Sequence, residues 1–98
     1  MERNLALVGA ASQLIGTPFR LQGRDPVHGL DCIGLVWVSL ARIGIELRLP
    51  ADYHPRRRQF DIPEETLRRA GLHRASRPPM PGDILLLQTA PTQVHLAI

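Results

Sequence analysis

Lysine is absent from the sequence, cysteine occurs once, and aromatic side chains make up only 4% of its 98 residues. A lone Cys32 excludes an intrachain disulfide and any metal site built on several cysteines. With so few aromatics, a single core must rest on Leu, Ile, Val and Ala, and its stability margin is thin. No apolar run approaches the roughly 20 residues that a bilayer span needs; one of the longest is Ile84 to Leu87. The N-terminus also lacks a basic-then-apolar leader with a cleavage site, so the expectation is a soluble chain, cytoplasmic as synthesised, with no export signal of its own. All 12 basic residues are Arg against 9 acidic ones. A bias that complete points to GC-rich coding rather than a selected surface. The net charge of +3 is too small to choose among polyanionic partners.

What is present reads as one domain of mixed helix and strand. Leu5, Val8, Ala11 and Ile15 recur at helical spacing, and Gly16 and Pro18 end the pattern, which predicts a first helix over residues 3–15. Thr17 to Leu30 shows no periodicity and reads as a loop long enough to carry function. From Cys32, the positions Val36, Leu40 and Ile43 share one helical face, flanked by Leu35 and Ser39, and Gly44 supplies the stop. Asp31 stands where an N-cap belongs.

Residues 45–60 form a surface connection in which Tyr53 and Phe60 are candidate anchors and Arg56 to Arg58 a solvated patch. Asp61, Pro63 and Glu64 give a D-x-x-E capping pattern for a short third helix that Gly71 closes. After the proline-rich Arg77–Asp83 turn, Ile84–Leu87 and Val94–Ile98 read as two strands, paired antiparallel across a loop at Thr89 to Gln93. The chain stops on the apolar second strand. The expectation is a domain lacking its carboxy-terminal strands, or one whose sheet a partner completes.

Two readings stand for Cys32. Free cysteine is among the most buried residue types, so a core role is the plain one. Alternatively, a thiol in the first turn of a helix meets unpaired N–H groups and the positive end of the dipole, both of which favour thiolate. A nucleophile also needs a base, and His95 on the last strand is the candidate. His28 is close in sequence but separated by loop, while His54 and His73 read as surface residues. A metal site from His28, Asp31, Cys32 and a distant His fits no standard zinc spacing. No metal and no cofactor are expected.

Four segments, taken in order, resemble the NlpC-type cell-wall cysteine peptidases, a papain-like group: LIGTPF (Leu14 to Phe19), DCIGLV (Asp31 to Val36), PGDILLL (Pro81 to Leu87) and VHLAI (Val94 to Ile98). The resemblance implies an α+β fold in which amino-terminal helices pack on an antiparallel sheet. It implies Cys32 as nucleophile, His95 as base, and a peptidoglycan stem peptide as substrate, cut between D-Glu and a diamino acid. It also suggests Asp31 as a contact for the free amino end of that peptide, beside its reading as a helix cap, and Phe19 as a substrate-side ring.

The long Thr17–Leu30 loop is similar to the phage-associated branch. That implies delivery in a phage-like or gene-transfer-agent particle, with tail proteins as partners and neither a specific nucleic acid nor a membrane span. The sequence departs from the family pattern at Ile33, where Ser is usual, and at Phe19, where Tyr is common. The polar residue that orients the base on the following strand has no counterpart before Ile98. A catalytically inactive member serving as a tail-assembly or wall-binding module is the alternative function. A basic nucleic-acid-binding domain has no groove-reading motif to support it.

Overall fold

The computed structural model describes residues 2–48, 63–90 and 93–98. Tyr53, His54, Arg56 to Arg58, Phe60, Asp61 and Pro91 lie outside the described residues. In chain order the elements are α1 (Glu2–Ser12), β1 (Arg24–Asp25), β2 (Gly29–Leu30), α2 (Cys32–Arg42), α3 (Glu64–Arg69), β3 (Leu85–Ala90) and β4 (Gln93–Ala97). Both strand pairs, β1 with β2 and β3 with β4, are antiparallel. The result is a small α+β domain with its helices toward the N-terminus.

The central element is α2, whose buried residues Ile33, Gly34, Val36, Val38, Ser39 and Leu40 wrap most of its circumference. A helix apolar on so many sides must be covered on more than one. One side carries the main core, where Val36 and Leu40, each 1% exposed, meet Leu7 of α1, Leu47, Ala70 and Leu96 of β4. The other carries a smaller cluster of Leu14, Leu30 and Val38. Gly44 ends the helix with φ +83, and Ile45 N–H reaches back to Leu40 O at 2.9 Å.

The buried face of α1 is not the one its apolar spacing predicts. Leu5 is 58% and Ile15 85% exposed, whereas Leu7 and Leu14 are buried. Asn4 belongs to the inward face instead. Its side-chain amide donates to Pro81 O and to Asp83 Oδ1, both at 3.2 Å, so a polar residue on the packing face rotates the helix by one position. α1 also stops at Ser12, three residues short of the expected end.

The same contact fastens the Pro81–Gly82–Asp83 turn. Arg77 grips the Asp83 carboxylate through both terminal nitrogens at 2.7 and 3.1 Å, and Met80 N–H donates to it at 2.8 Å. Those bonds, with Arg77 contributing most, hold the Asp83 carboxyl down at about 2. A Cβ on Gly82 would stand 2.3 Å from Asn4 O, so the glycine lets the turn sit on α1.

Three further expectations are adjusted. The residue at the N-cap of α3 is Pro63, which makes no side-chain cap bond, and Asp61 of the expected D-x-x-E pattern lies outside the described residues. β3 runs on to Ala90 and β4 begins at Gln93, through most of the stretch expected to be loop. Finally, the supposed loop of residues 17–30 contains the β1–β2 hairpin. Asp25 Oδ1 accepts from Val27 N–H at 2.9 Å to start its turn, and Gly29 closes it at φ +142.

Candidate functional site

Asp31 has the extended backbone of an N-cap, and its Oδ1 accepts from Gly34 N–H at 2.7 Å. Cys32 is therefore the first residue of α2. Its side chain is half-buried and packs against the edge of the main core. Ile33, 1% exposed, points into that core, so the position after the thiol is given over to packing.

The Asp31 carboxylate is 1% exposed and has further partners. Oδ2 accepts from Gln22 N–H at 2.8 Å, and Arg24 Nη1 lies 3.3 Å from Oδ1. The same Arg24 nitrogen donates to Gly23 O at 2.8 Å. Of the two roles open to Asp31, the cap is the one formed in this structure, and it also ties the 22–24 segment to the start of α2.

Two glycines make that closeness possible. A Cβ on Gly34 would fall 2.0 Å from Gly23 O, and one on Gly23 would fall 2.2 Å from Gly29 O. Gly34 in the DCIGLV segment is thus required by the backbone of the hairpin lying on the helix. Sequence reasoning missed Arg24. The signal was present in the Arg24-Asp25-Pro26 run followed by Gly29, an Asp-Pro turn opening that places Arg24 at a strand position.

Phe19 runs beside Leu30 in a parallel bridge, with Leu30 N–H to Pro18 O at 2.9 Å and Arg20 N–H to Leu30 O at 3.2 Å. Its side chain is 76% exposed. At the hairpin tip, His28 Nδ1 is hydrogen-bonded to Asp25 Oδ2, and this bond holds the Asp25 carboxyl below its ordinary range. His73 is exposed.

His95 pairs with Leu87 across the β3–β4 ribbon and is exposed. Its neighbour Leu96 is 2% exposed in the core beside α2, so strand alternation turns His95 to the opposite face. The structure thus packs the strand of His95 on the helix of Cys32. No hydrogen bond joins the two side chains among the described residues.

A concavity of about 470 Å³ lies elsewhere, floored by Leu7, Val36, Leu40 and Leu96 and bordered by Arg3 and Arg74. Neither Cys32 nor His95 lines it, so it is not the candidate reaction site. Among the described residues no group of three or more His, Cys, Asp or Glu side chains is placed to hold a metal ion. None of the described helices is long and apolar enough to cross a membrane.

Comparison with protein families gives a match to the model described as "NlpC/P60 family", over residues 16–98. That span takes in the hairpin, all of α2 and the β3–β4 ribbon. No curated protein and no solved structure gives a significant match.

Proposed function

The chain belongs to the NlpC/P60 family, and from that membership we propose that it is a cysteine peptidase hydrolysing amide bonds in bacterial peptidoglycan stem peptides. The observation that carries the reading is the placement of the sole cysteine as the first residue of a capped helix, inside the family match. Helix N-termini favour the thiolate, which is the nucleophilic form.

In this mechanism the Cys32 thiolate attacks the carbonyl carbon, and N–H groups of the first turn of α2 receive the oxyanion. The C–N bond breaks as His95 gives its proton to the leaving amine. His95 then takes a proton from water, whose oxygen displaces the thiolate and releases the acid. Strand β4 packs on α2 through Leu96, which supports the papain-like reading; His95 stands on the opposite face of β4, so the reading requires the imidazole to be brought to the thiol as substrate binds. Such contacts commonly tighten only in the substrate complex.

The bond between D-Glu and the diamino acid is the one the family resemblance favours. Phe19 offers an exposed ring to the substrate without a hydroxyl to bond it. Asp31, which the resemblance casts as a contact for the free amino end of the peptide, also anchors the 22–24 segment at the start of α2. The long loop that resembles the phage-associated branch, occupied here by the β1–β2 hairpin, is what supports delivery in a phage-like particle with tail proteins as partners.

The test is incubation of the protein with purified peptidoglycan and with a γ-D-Glu-diamino acid peptide, followed by mass spectrometry. Wild type releases fragments ending at the cut amide, and Cys32→Ala and His95→Ala do not. Equal release by Cys32→Ala overturns the proposal. A second reading, a non-catalytic wall-binding module, is favoured by the lack of a bond between Cys32 and His95. It predicts wall binding without turnover, retained in Cys32→Ala.

A further inference from the structure

The helix cap poses an electrostatic problem for the thiol beside it. Asp31 places a carboxylate on the residue next to Cys32, and that carboxylate is almost wholly out of solvent. A like charge at that range disfavours thiolate and works against the helix N-terminus. Arg24 stands where it can cancel this charge. Its Nη1 lies 3.3 Å from Asp31 Oδ1, donates to Gly23 O, and sits about 3.0 Å from where a Cβ on Gly34 would be, over the first turn of α2. The guanidinium is only 27% exposed, so solvent screens it incompletely.

Resting on the reading of Cys32 as nucleophile, we propose that Arg24 is a positioning residue that neutralises the N-cap carboxylate, keeping the start of α2 net positive so that Cys32 ionises. Asp31 is needed to cap the helix and hold the hairpin, and Arg24 makes that cap compatible with an anionic nucleophile one residue away.

Other charged groups on the elements packed against α2 are differently placed. On α1, Arg3 is engaged with the carbonyls of Ala70 and Gly71, and Glu2 is exposed. Asp25 of β1 is paired with His28 at the exposed hairpin tip. β2 carries no charge, and β4 contributes His95, exposed on the face away from the core. On α2 itself, Arg42 is at the far end.

The experiment is the rate of Cys32 alkylation by iodoacetamide against pH, on the full chain, folded and in denaturant, with circular dichroism to verify the fold of each variant. Arg24→Gln raises the midpoint of the native profile by about one pH unit, and Arg24→Lys, which keeps the charge, restores most of it. Asp31→Asn keeps a good cap and lowers the midpoint below wild type. Arg24→Gln combined with Asp31→Asn returns it toward wild type, because no carboxylate remains to be neutralised.

An unchanged midpoint in folded Arg24→Gln overturns the inference, as does a shift that Asp31→Asn fails to reverse, which would mark a purely structural role. Should Arg24→Gln not fold, Asp31→Asn decides alone, and a midpoint that does not fall overturns the inference. A wild-type thiol that titrates as it does in denaturant removes the activated nucleophile, and the inference with it. A depressed, Arg24-dependent midpoint without peptide cleavage leaves the inference standing and overturns the peptidase reading.

Discussion

Replacing Gly34 by Ala sets two effects of opposite sign against each other, and the structure decides between them. In a helix interior, Ala is favoured over Gly by about 1 kcal/mol. At Gly34, however, the new Cβ would stand 2.0 Å from Gly23 O, a backbone atom, whereas real Cβ contacts essentially never fall below 3.0 Å. The hairpin must therefore retreat by about 1 Å. Overpacking of this kind costs about 1–3 kcal/mol. The retreat also loosens the Arg24 bond to Gly23 O and the Gln22 bond to Asp31, each worth about 1 kcal/mol. The net expectation is destabilisation of about 2 kcal/mol, or a fall in Tm of about 10 °C for a domain of this size. Gly9 of α1 is the control, since a Cβ there meets nothing within 4 Å. Gly9→Ala stabilises by about 1 kcal/mol. Thermal unfolding followed at 222 nm reads both variants, and a Tm for Gly34→Ala that rises with that of Gly9→Ala refutes the reasoning.

Two other perturbations have definite signs. The Ser39 hydroxyl is fully buried in α2 and finds no partner among the described residues, so Ser39→Ala removes an unpaid desolvation cost and stabilises by about 1 kcal/mol in urea unfolding; a loss of stability would reveal a bond made by that hydroxyl. For Asp83, the folded carboxyl is held at about 2 against 3.8 for the free group, so its contribution is complete above about pH 4 and is lost as pH falls toward 2. Asp83→Asn is therefore less stable than wild type at neutral pH, and the gap closes across that acid window; a gap that is constant from pH 6 to 2 would contradict the Arg77 pairing as its origin.

Local signals carried the reading of the sequence where the physics is local. Asp31 and the apolar spacing after it announced α2, because capping and amphipathicity act within a few residues. The face of α1 is phased by a tertiary contact: Asn4 is hydrogen-bonded to a turn nearly eighty residues away, and no periodicity of apolar residues records that bond. The β1–β2 hairpin escaped because strands of two residues are too short to alternate. β3 and β4 were legible as apolar runs, but their continuation to Ala90 and from Gln93 depends on pairing rather than on hydrophobicity. At the candidate site, the position of Cys32 at a helix start was readable. The burial of Asp31, the placement of Arg24 beside it and the turning of His95 away from the core were not, since each is set by what packs alongside.

The two sides of the candidate site are consequently held by different forces. On the thiol side, Arg24, Asp31 and Gly34 come from the same short stretch of chain as Cys32 and are joined to one another by hydrogen bonds and charge around a carboxylate that is 1% exposed, where salt screens little. On the base side, His95 arrives from the far end of the sequence, and its strand is seated on α2 by burial of Leu96 among Val36, Leu40 and Leu7. Hydrophobic seating fixes where a strand lies but not the rotation of an exposed neighbour upon it. The thiol side is therefore preorganised while the imidazole keeps its freedom, and under the proposed peptidase mechanism the step that would complete the chemistry is the capture of His95 by a substrate already placed against Cys32.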